Sequence, residues 1–299
     1  MVTWLKGNLH AHSDRSDGDA SPLEVARWYC RHQYDFLVIS DHNLQVPVKP
    51  ISQQLRAEGL SLLVIPGEEV TTWWPNPHRT LALHVGSIGA RGTVGPAGGE
   101  SVREVLRASL RRVEDASGMA ILNHPNFWNS ITPADLLALP HLTHLEIFNG
   151  HPLTYSDGTA ELPPVEESWD RLLMAGRRVL GVAVDDAHDY WEFGEEHRNP
   201  GRGWVWVGAT EKTEEAVMAA LRAGNFYCST GPRLLRADPK DGFLEVAAAT
   251  AGVIEFITGG EVTGVFRGEA ARQQVPAGSY VRARFRDDSG VAWTQPAFG

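Results

Sequence analysis

The sequence predicts an α/β fold of alternating strands and helices, followed by a small antiparallel β module. Three observations lead there. Short apolar runs alternate with amphipathic segments through the first two-thirds of the 299 residues. Several runs, such as Phe36-Leu-Val-Ile39 and Leu62-Leu-Val-Ile65, are unbroken, as in parallel strands covered by helices on both faces. From about Pro232 the runs are separated by Gly-Gly, Pro-Ala-Gly and Asp-Asp-Ser-Gly, which punctuate antiparallel hairpins. The expected division is a barrel unit over residues 1–231 and a β module over 232–299.

Strands are expected over residues 4–10, 35–40, 61–66, 81–87, 119–123, 144–148 and 179–184, with another over 204–207. The helices between them announce their starts. Ser21-Pro22-Leu23-Glu24 offers an N-cap serine, a proline at the first helical position and a glutamate able to close a capping box, which opens a helix over 22–33. Ser101-Val102-Arg103-Glu104 repeats the box before a helix over 101–116, and Thr132-Pro133-Ala134-Asp135 is a variant of it. Trp73-Trp74-Pro75-Asn76-Pro77 reads as a loop between the third and fourth strands, so the repeat is imperfect. Thr213 caps a helix that Gly224 stops. Inside the β module the runs fall at 243–247, 253–257, 280–285 and 291–294.

Composition sets outer bounds. At 42% hydrophobic and 21% charged, the chain reads as an ordinary soluble globular protein. No apolar run approaches a membrane span, and Met1-Val-Thr-Trp-Leu-Lys lacks the apolar core of a signal peptide, so a cytoplasmic location and no membrane partner are expected. The two cysteines, Cys30 and Cys228, provide no disulfide framework. A net charge of −10 without a basic stripe argues against nucleic acid. An anionic small molecule is still admissible, because bound cations would cancel charge locally.

Nine metal-binding side chains fall near the ends of successive strands: His10, His12, Asp17, His42, Glu69, His84, His124, Asp186 and His188. Imidazole and carboxylate are the donors that hold Zn²⁺, Mn²⁺ or Fe²⁺. Residues two apart in an extended segment point the same way, roughly 6.5 Å apart along the strand. His10 with His12, and Asp186 with His188, can therefore face one cavity. Each group alone is weak, since a lone His-x-His is more often structural; their joint placement at the carboxyl ends of strands is what implies a shared site. Asp41 and His42 are adjacent and point oppositely, so His42 is taken as the ligand and Asp41 as orienting it or touching substrate. His32, His141, His144 and His151 are given no role.

The ordered motifs His10-Ala-His12-Ser, Ser16-Asp17-Gly18, Ser40-Asp41-His42-Asn43, Gly67-Glu68-Glu69-Val70-Thr71, His124-Pro125 and Asp186-Ala-His188 resemble those of the polymerase and histidinol phosphatase (PHP) superfamily, over residues 7–190. The stretch from Ala219 to Pro232 resembles a branch that includes carbamate-cleaving metallohydrolases. The resemblance implies a distorted seven-stranded (β/α) TIM-like barrel holding two to three divalent ions. By analogy His10, His12, Glu69 and Asp186 would hold the first. Glu69 would bridge to a second, completed by His84 and His124, while Asp17, His42 and His188 would hold the third. Glu69 is preferred to Glu68, and Asp186 to Asp185; Glu146 matches a motif of this branch without an assigned role.

The implied activity is metal-dependent hydrolysis by a metal-activated hydroxide, with Asp41, His42, Glu69 and Asp186 as catalytic residues. Three divalent ions with Asp17, Glu69, Asp186, a hydroxide and a phosphomonoester dianion would leave the site near neutral, which favours a small phosphorylated substrate. Loop residues Arg79, Arg198, Arg202 and His197 are the candidate substrate contacts. The alternative is hydrolysis of a carbamate, amide or ester, for which Trp73, Trp74, Phe127 and Trp128 could form an apolar wall.

Overall fold

The computed structural model describes residues 3–78 and 80–299. The first strands, β1 (Thr3–Asn8), β2 (Phe36–Ile39) and the start of β3 (Leu63–Pro75), pair in parallel. Helices α1 (Pro22–Arg31) and α2 (Val48–Ala57) connect them. Next, β3 turns directly into β4 (Thr80–Ile88), which runs antiparallel both to β3 and to β5 (Met119–Leu122). Helix α3 (Val102–Asp115) separates β4 from β5. Parallel pairing resumes through β6 (His144–Asn149) and β7 (Leu180–Val184), with α4 (Pro133–Leu137) and α5 (Val165–Met174) between. On the other side β8 (Trp204–Ala209) lies antiparallel to β1 and is followed by α6 (Glu214–Ala223).

The α/β architecture is as expected, but the sheet is not closed. Its hydrogen-bonded path ends at β7, and a single parallel bridge, Ala11 to Ala187, joins the chain after β1 to the chain after β7. The expected loop at 73–77 is also corrected. Trp73, Trp74 and Pro75 pair with Ala82, Leu81 and Thr80, so the strand runs on to the hairpin. Aromatic residues favour such a pleated surface, and Pro75 costs little at the strand's last position.

Local signals explain which helices the sequence announces. Ser21 and Glu24 close the expected capping box, and Thr132 with Asp135 does the same. Ser101 caps α3, but Glu104 bonds Glu100 N instead of completing the box. Gly224 stops α6 in the left-handed region at φ 76°. Helices α2 and α5 begin behind Pro47 and Pro164 with no side-chain cap.

The core lies between the sheet and helices α3, α5 and α6, with Leu106, Leu122, Leu145, Trp169, Val205 and Leu221 buried together. Each such side chain contributes about 1.5–3 kcal/mol of transfer free energy. A second apolar cluster packs α1 and α2 against the outer face of β2.

The C-terminal residues form β9 (Phe226–Ser229), β10 (Leu234–Lys240), β11 (Phe243–Thr258), β12 (Glu261–Gln274), β13 (Tyr280–Asp287), β14 (Gly290–Thr294) and β15 (Ala297–Phe298). Runs read as separate at 243–247 and 253–257 are one long strand, bulged against β12. Strand β14 pairs with β9, so the sheet passes without a break from these strands into β8 and β1. Buried Arg282 adds a charged tie: Nε donates to Asp170 Oδ1 at 2.8 Å, and Nη1 to Glu166 Oε1 at 2.6 Å, both on α5. Tyr280 donates to the same Asp170 at 2.8 Å.

Removing one partner from such a buried pair leaves the other charge uncompensated. Arg282→Ala should cost about 3–5 kcal/mol of unfolding free energy. Arg103→Ala, at the exposed pair with Asp135, should cost under about 1 kcal/mol. Urea unfolding of both variants checks the contrast; equal midpoints would refute it.

Candidate metal centre

His10 and His12 follow β1, and the backbone after β7 fixes their register. Asp186 N donates to His10 O at 3.0 Å, and His12 N to Ala187 O at 2.8 Å. An isolated parallel bridge does the same for His42 and Glu69, with Asn43 N donating to Glu69 O at 3.0 Å. His84 comes from β4, and His124 follows β5. Asp17 arrives on a tight loop beneath His12, where a Cβ at Gly18 would meet the His12 carbonyl oxygen at 2.8 Å. Only glycine fits there.

The Glu69 carboxylate is the hub. Its Oε1 lies 3.0 Å from His84 Nδ1 and 3.0 Å from His124 Nε2, and its Oε2 lies 3.0 Å from His42 Nδ1 and 3.3 Å from His12 Nε2. Asp186 Oδ1 stands 3.2 Å from His10 Nε2 and 3.3 Å from His12 Nε2. Half-exposed Asp17 completes the outer end, 3.4 Å from both His12 Nδ1 and His188 Nε2, and 3.7 Å from His42 Nε2. The structure thus brings all nine expected side chains together.

These contacts fit divalent cations. His10 Nε2 and His12 Nε2 are 3.0 Å apart, and both face the same carboxylates. Donors about 2.1 Å from one tetrahedral or octahedral ion stand about 3.0–3.4 Å from each other. Two buried atoms of these residues, His84 Nε2 and Asp186 Oδ1, have no hydrogen-bond partner. Among the described residues, three donor groups are close enough to hold an ion: His12, Asp17, His42 and His188; His10, His12 and Asp186; and His10, Glu69 and His124. His12 thereby belongs with the outer group as well as the inner one.

Electrostatics follow from the crowding. Burial pushes the imidazoles toward neutrality, yet for His10 the Asp186, Glu69 and Glu146 carboxylates outweigh it and raise the pKa well above the usual range. His12 and His124 are raised in the same way, and His42 reaches about 10. His84 and His188 are lowered, with burial the leading cause. Burial alone would raise Glu69 and Asp186, but the surrounding imidazoles hold both well below the carboxylate range.

Adjacent residues at the strand ends divide the labour. Glu69 faces the cluster, while buried Glu68 turns away and accepts from Val94 N at 2.6 Å and Gly95 N at 2.8 Å. Asp186 faces in, while Asp185 accepts from Arg202 N at 2.6 Å, Gly203 N at 2.8 Å and the Tyr29 hydroxyl at 2.9 Å. Asp41, expected to orient His42 or to act in catalysis, makes its side-chain hydrogen bonds to another loop. It accepts from Ser13 N at 2.8 Å, Ser13 Oγ at 2.7 Å and Ser16 Oγ at 2.6 Å, clamping the loop that carries Asp17. His42 Nδ1 instead meets Thr71 Oγ1 at 2.7 Å.

Glu146, left without a role by sequence, is buried behind the cluster. It accepts from His10 Nδ1 at 2.7 Å, His124 N at 2.8 Å and Asn149 Nδ2 at 2.9 Å. Asn149 Nδ2 also reaches Asp186 Oδ2 at 3.1 Å. A proton on His10 Nδ1 leaves Nε2 free to ligate.

A cleft of about 320 Å³ opens over the cluster, walled by Trp73, Phe127, Trp128, His151, Leu153 and Arg198. Trp128 and Asp186, both in this lining, have φ of 50° and 51°, a strained conformation for such residues. Of the expected substrate contacts, Arg198 lines the cleft, its Nη2 held by Asp189 Oδ1 at 2.8 Å. Arg202 does not; it donates to Gly150 O at 3.0 Å and Gly194 O at 2.6 Å. His197 lies outside the lining with Nδ1 3.7 Å from Asp189. Arg79 lies outside the described residues. His151 was missed, although Asn149-Gly150-His151 follows a strand end like the other site residues.

Two expectations follow. Glu146→Gln should keep the volume but weaken metal binding about 10–100-fold, as removal of a partner behind a ligating histidine does; calorimetric titration with Mn²⁺ reads this out, and unchanged affinity would refute it. Second, the imidazoles with raised pKa values stabilise the metal-free fold below pH 6.5, and His42 loses that contribution as pH rises through about 10. Cations must displace these protons, so affinity should climb with pH and binding should release protons. Buffer-independent binding heats would contradict it.

No family model matches the chain. It is 32% identical over 69 residues to the 5′-3′ exoribonuclease Rnm of Escherichia coli (strain K12), a match that spans 23% of this chain and 24% of that protein. The chain thus spans about a quarter of that curated relative. Over 99% of its length it superposes on a two-domain protein from Bacteroides vulgatus ATCC 8482 containing a predicted PHP-like metal-dependent phosphoesterase, with 96% of that chain covered, a TM-score of 0.54 and 16% identity. An amidohydrolase from Chromobacterium violaceum is similar over 65% of this chain and 93% of its own, with a TM-score of 0.42 and 13% identity. The chain shares the fold of that two-domain protein, from its first strands through its C-terminal β module.

Proposed function

We propose that the protein is a metal-dependent hydrolase whose leading activity is phosphoester hydrolysis of a small molecule. The observation that carries this reading is Glu69, one buried carboxylate within 3.3 Å of four imidazoles contributed by four different segments. Such a carboxylate is placed to bridge cations. When bound, a pair of divalent ions lowers the pKa of water and polarises the oxygen of a phosphoryl or carbonyl group.

The chain's own residues then do the rest. His10, His12, His84, His124 and Asp186 would hold the inner ions beside Glu69, and Asp17, His42 and His188 would hold an outer one with His12. Glu146 keeps the His10 ring in its ligating tautomer. Arg198, steadied by Asp189, offers a cation at the cleft wall for an anionic substrate group. A phosphomonoester brings negative charge toward balancing three cations against the ligating carboxylates Asp17, Glu69 and Asp186.

The aromatic side of the cleft favours a second reading. Trp73 and Trp128 stand 6.0 Å apart at ring centroids, and Phe127 stacks on Trp128 at 4.8 Å. A wall of this kind accepts an apolar leaving group, which suits a carbamate, amide or ester. An RNA substrate is disfavoured by the net charge of −10. No helix of the described residues is long and apolar enough to cross a membrane.

Elemental analysis of the purified chain, coupled to turnover of p-nitrophenyl phosphate, bis-p-nitrophenyl phosphate and p-nitrophenyl acetate, tests the reading. Two to three divalent transition-metal ions per chain are expected, with phosphate-ester turnover lost in His10→Ala. Acetate turnover alone would move the assignment to the carboxyl-type hydrolase. Cleavage of a labelled oligonucleotide would overturn the small-molecule assignment, and inert metal-free protein would sink both.

A further inference from the structure

His151 lies in the cleft but outside the ligand set. Its ring is edge-to-face with His188 at 5.5 Å and with Phe127 at 5.9 Å. The turn after β6 fixes it from several sides. His151 N donates to Asn149 Oδ1 at 2.9 Å, while Thr154 donates to His151 O through N at 3.1 Å and through Oγ1 at 2.7 Å. The ring is also fixed, because Leu153 N donates to His151 Nδ1 at 3.0 Å.

That last bond settles the tautomer. A nitrogen accepting a backbone N–H carries no proton of its own, so the ring proton resides on Nε2. Nε2 makes no hydrogen bond to any described residue, and the ring borders the cleft above His124, Asp186 and His188. An N–H donor held rigidly beside residues that would hold cations is suited to an oxygen that gains charge during acyl or phosphoryl transfer.

We propose that His151 is a substrate-contacting residue, its Nε2–H donating to an oxygen of the scissile phosphoryl or acyl group. This rests on the hydrolase reading above. No proton is transferred in this role; the imidazole acts as a fixed donor, backed by its own turn. The structure also separates the two jobs of the ring. Nδ1 serves the turn and Nε2 serves the substrate, so different side chains can replace each.

His151→Asn retains an acceptor near the position of Nδ1 for Leu153 N–H but removes the Nε2 donor. His151→Gln places an amide N–H near the position of Nε2. The test uses the full chain loaded with Mn²⁺, and measures kcat and KM with p-nitrophenyl phosphate and p-nitrophenyl acetate. Calorimetric affinity for inorganic phosphate and metal content are read in parallel, and the histidine ¹⁵N tautomer spectrum is taken on the chain loaded with diamagnetic Zn²⁺.

Metal content and Tm should be unchanged in His151→Asn, while kcat falls about 10²-fold, as it does when one oxyanion donor is removed. Phosphate affinity should weaken, and His151→Gln should recover part of both. Wild-type rates and phosphate affinity in His151→Asn would overturn the proposal, as would a proton found on Nδ1. Loss of metal from both variants would assign the residue to structure alone. Should the wild type turn over neither ester, the hydrolase reading fails, and phosphate affinity with the tautomer still decides the role of His151 as an oxyanion donor.

Discussion

Burial of two carboxylates among imidazoles at one end of the sheet is the constraint on which the site rests. Glu69 and Asp186 are almost wholly removed from water, as are His10, His12, His84, His124 and His188. Isolated charges there would carry a large desolvation cost. They are tolerable because each carboxylate faces several imidazoles, and the shifts of Glu69 and Asp186 downward and of His10 and His12 upward are two faces of that pairing. Cations held by these residues would substitute for the protons and relieve the crowding between His10 and His12.

That arrangement constrains the loops around it. Each strand end presents one residue to the cluster and its neighbour to the far side, because successive side chains alternate. Asp41, Glu68 and Asp185 are those neighbours, and each satisfies backbone N–H groups of a different loop. The clamped loops are the ones that bring Asp17 in, cover β3 and carry Arg202. Loss of one such neighbour would act on ligand geometry without removing a ligand. Glu146 and Asn149 extend the same logic from β6, tying His10, the His124 backbone and Asp186 together.

The antiparallel β4 serves the site in a way that a regular βα repeat would not. Within the β3–β4 hairpin, Glu69 lies opposite Gly86 and Thr71 opposite His84, so His84 reaches Glu69 from the neighbouring strand. The same hairpin carries Trp73 to the cleft, its ring 5.8 Å from that of His84. The sheet is open at β7, and the Ala11–Ala187 bridge brings the chain after β1 to the chain after β7, where the clustered side chains lie.

Much of the molecule was legible in the residues themselves. Unbroken apolar runs marked β2 and the start of β3, capping boxes marked α1 and α4, and two-residue spacing marked the His10/His12 and Asp186/His188 pairs. These signals are local: side-chain alternation and cap hydrogen bonds act within a few residues. Helices α2 and α5, begun without side-chain caps, gave no such signal, and the paired Trp73-Trp74 run looked like a loop because its partner strand is needed to order it. Which of two adjacent acids faces inward could be ranked from sequence, yet only the tertiary structure shows that Asp41 serves a loop, that Arg202 is spent on carbonyls and that His151 faces the cleft. The sequence by itself determined the inventory of donors and their order along the chain. The tertiary structure decided their partners, because hydrogen bonds between residues more than a hundred positions apart, such as His10 with Glu146, exist only once the sheet has brought its strand ends together.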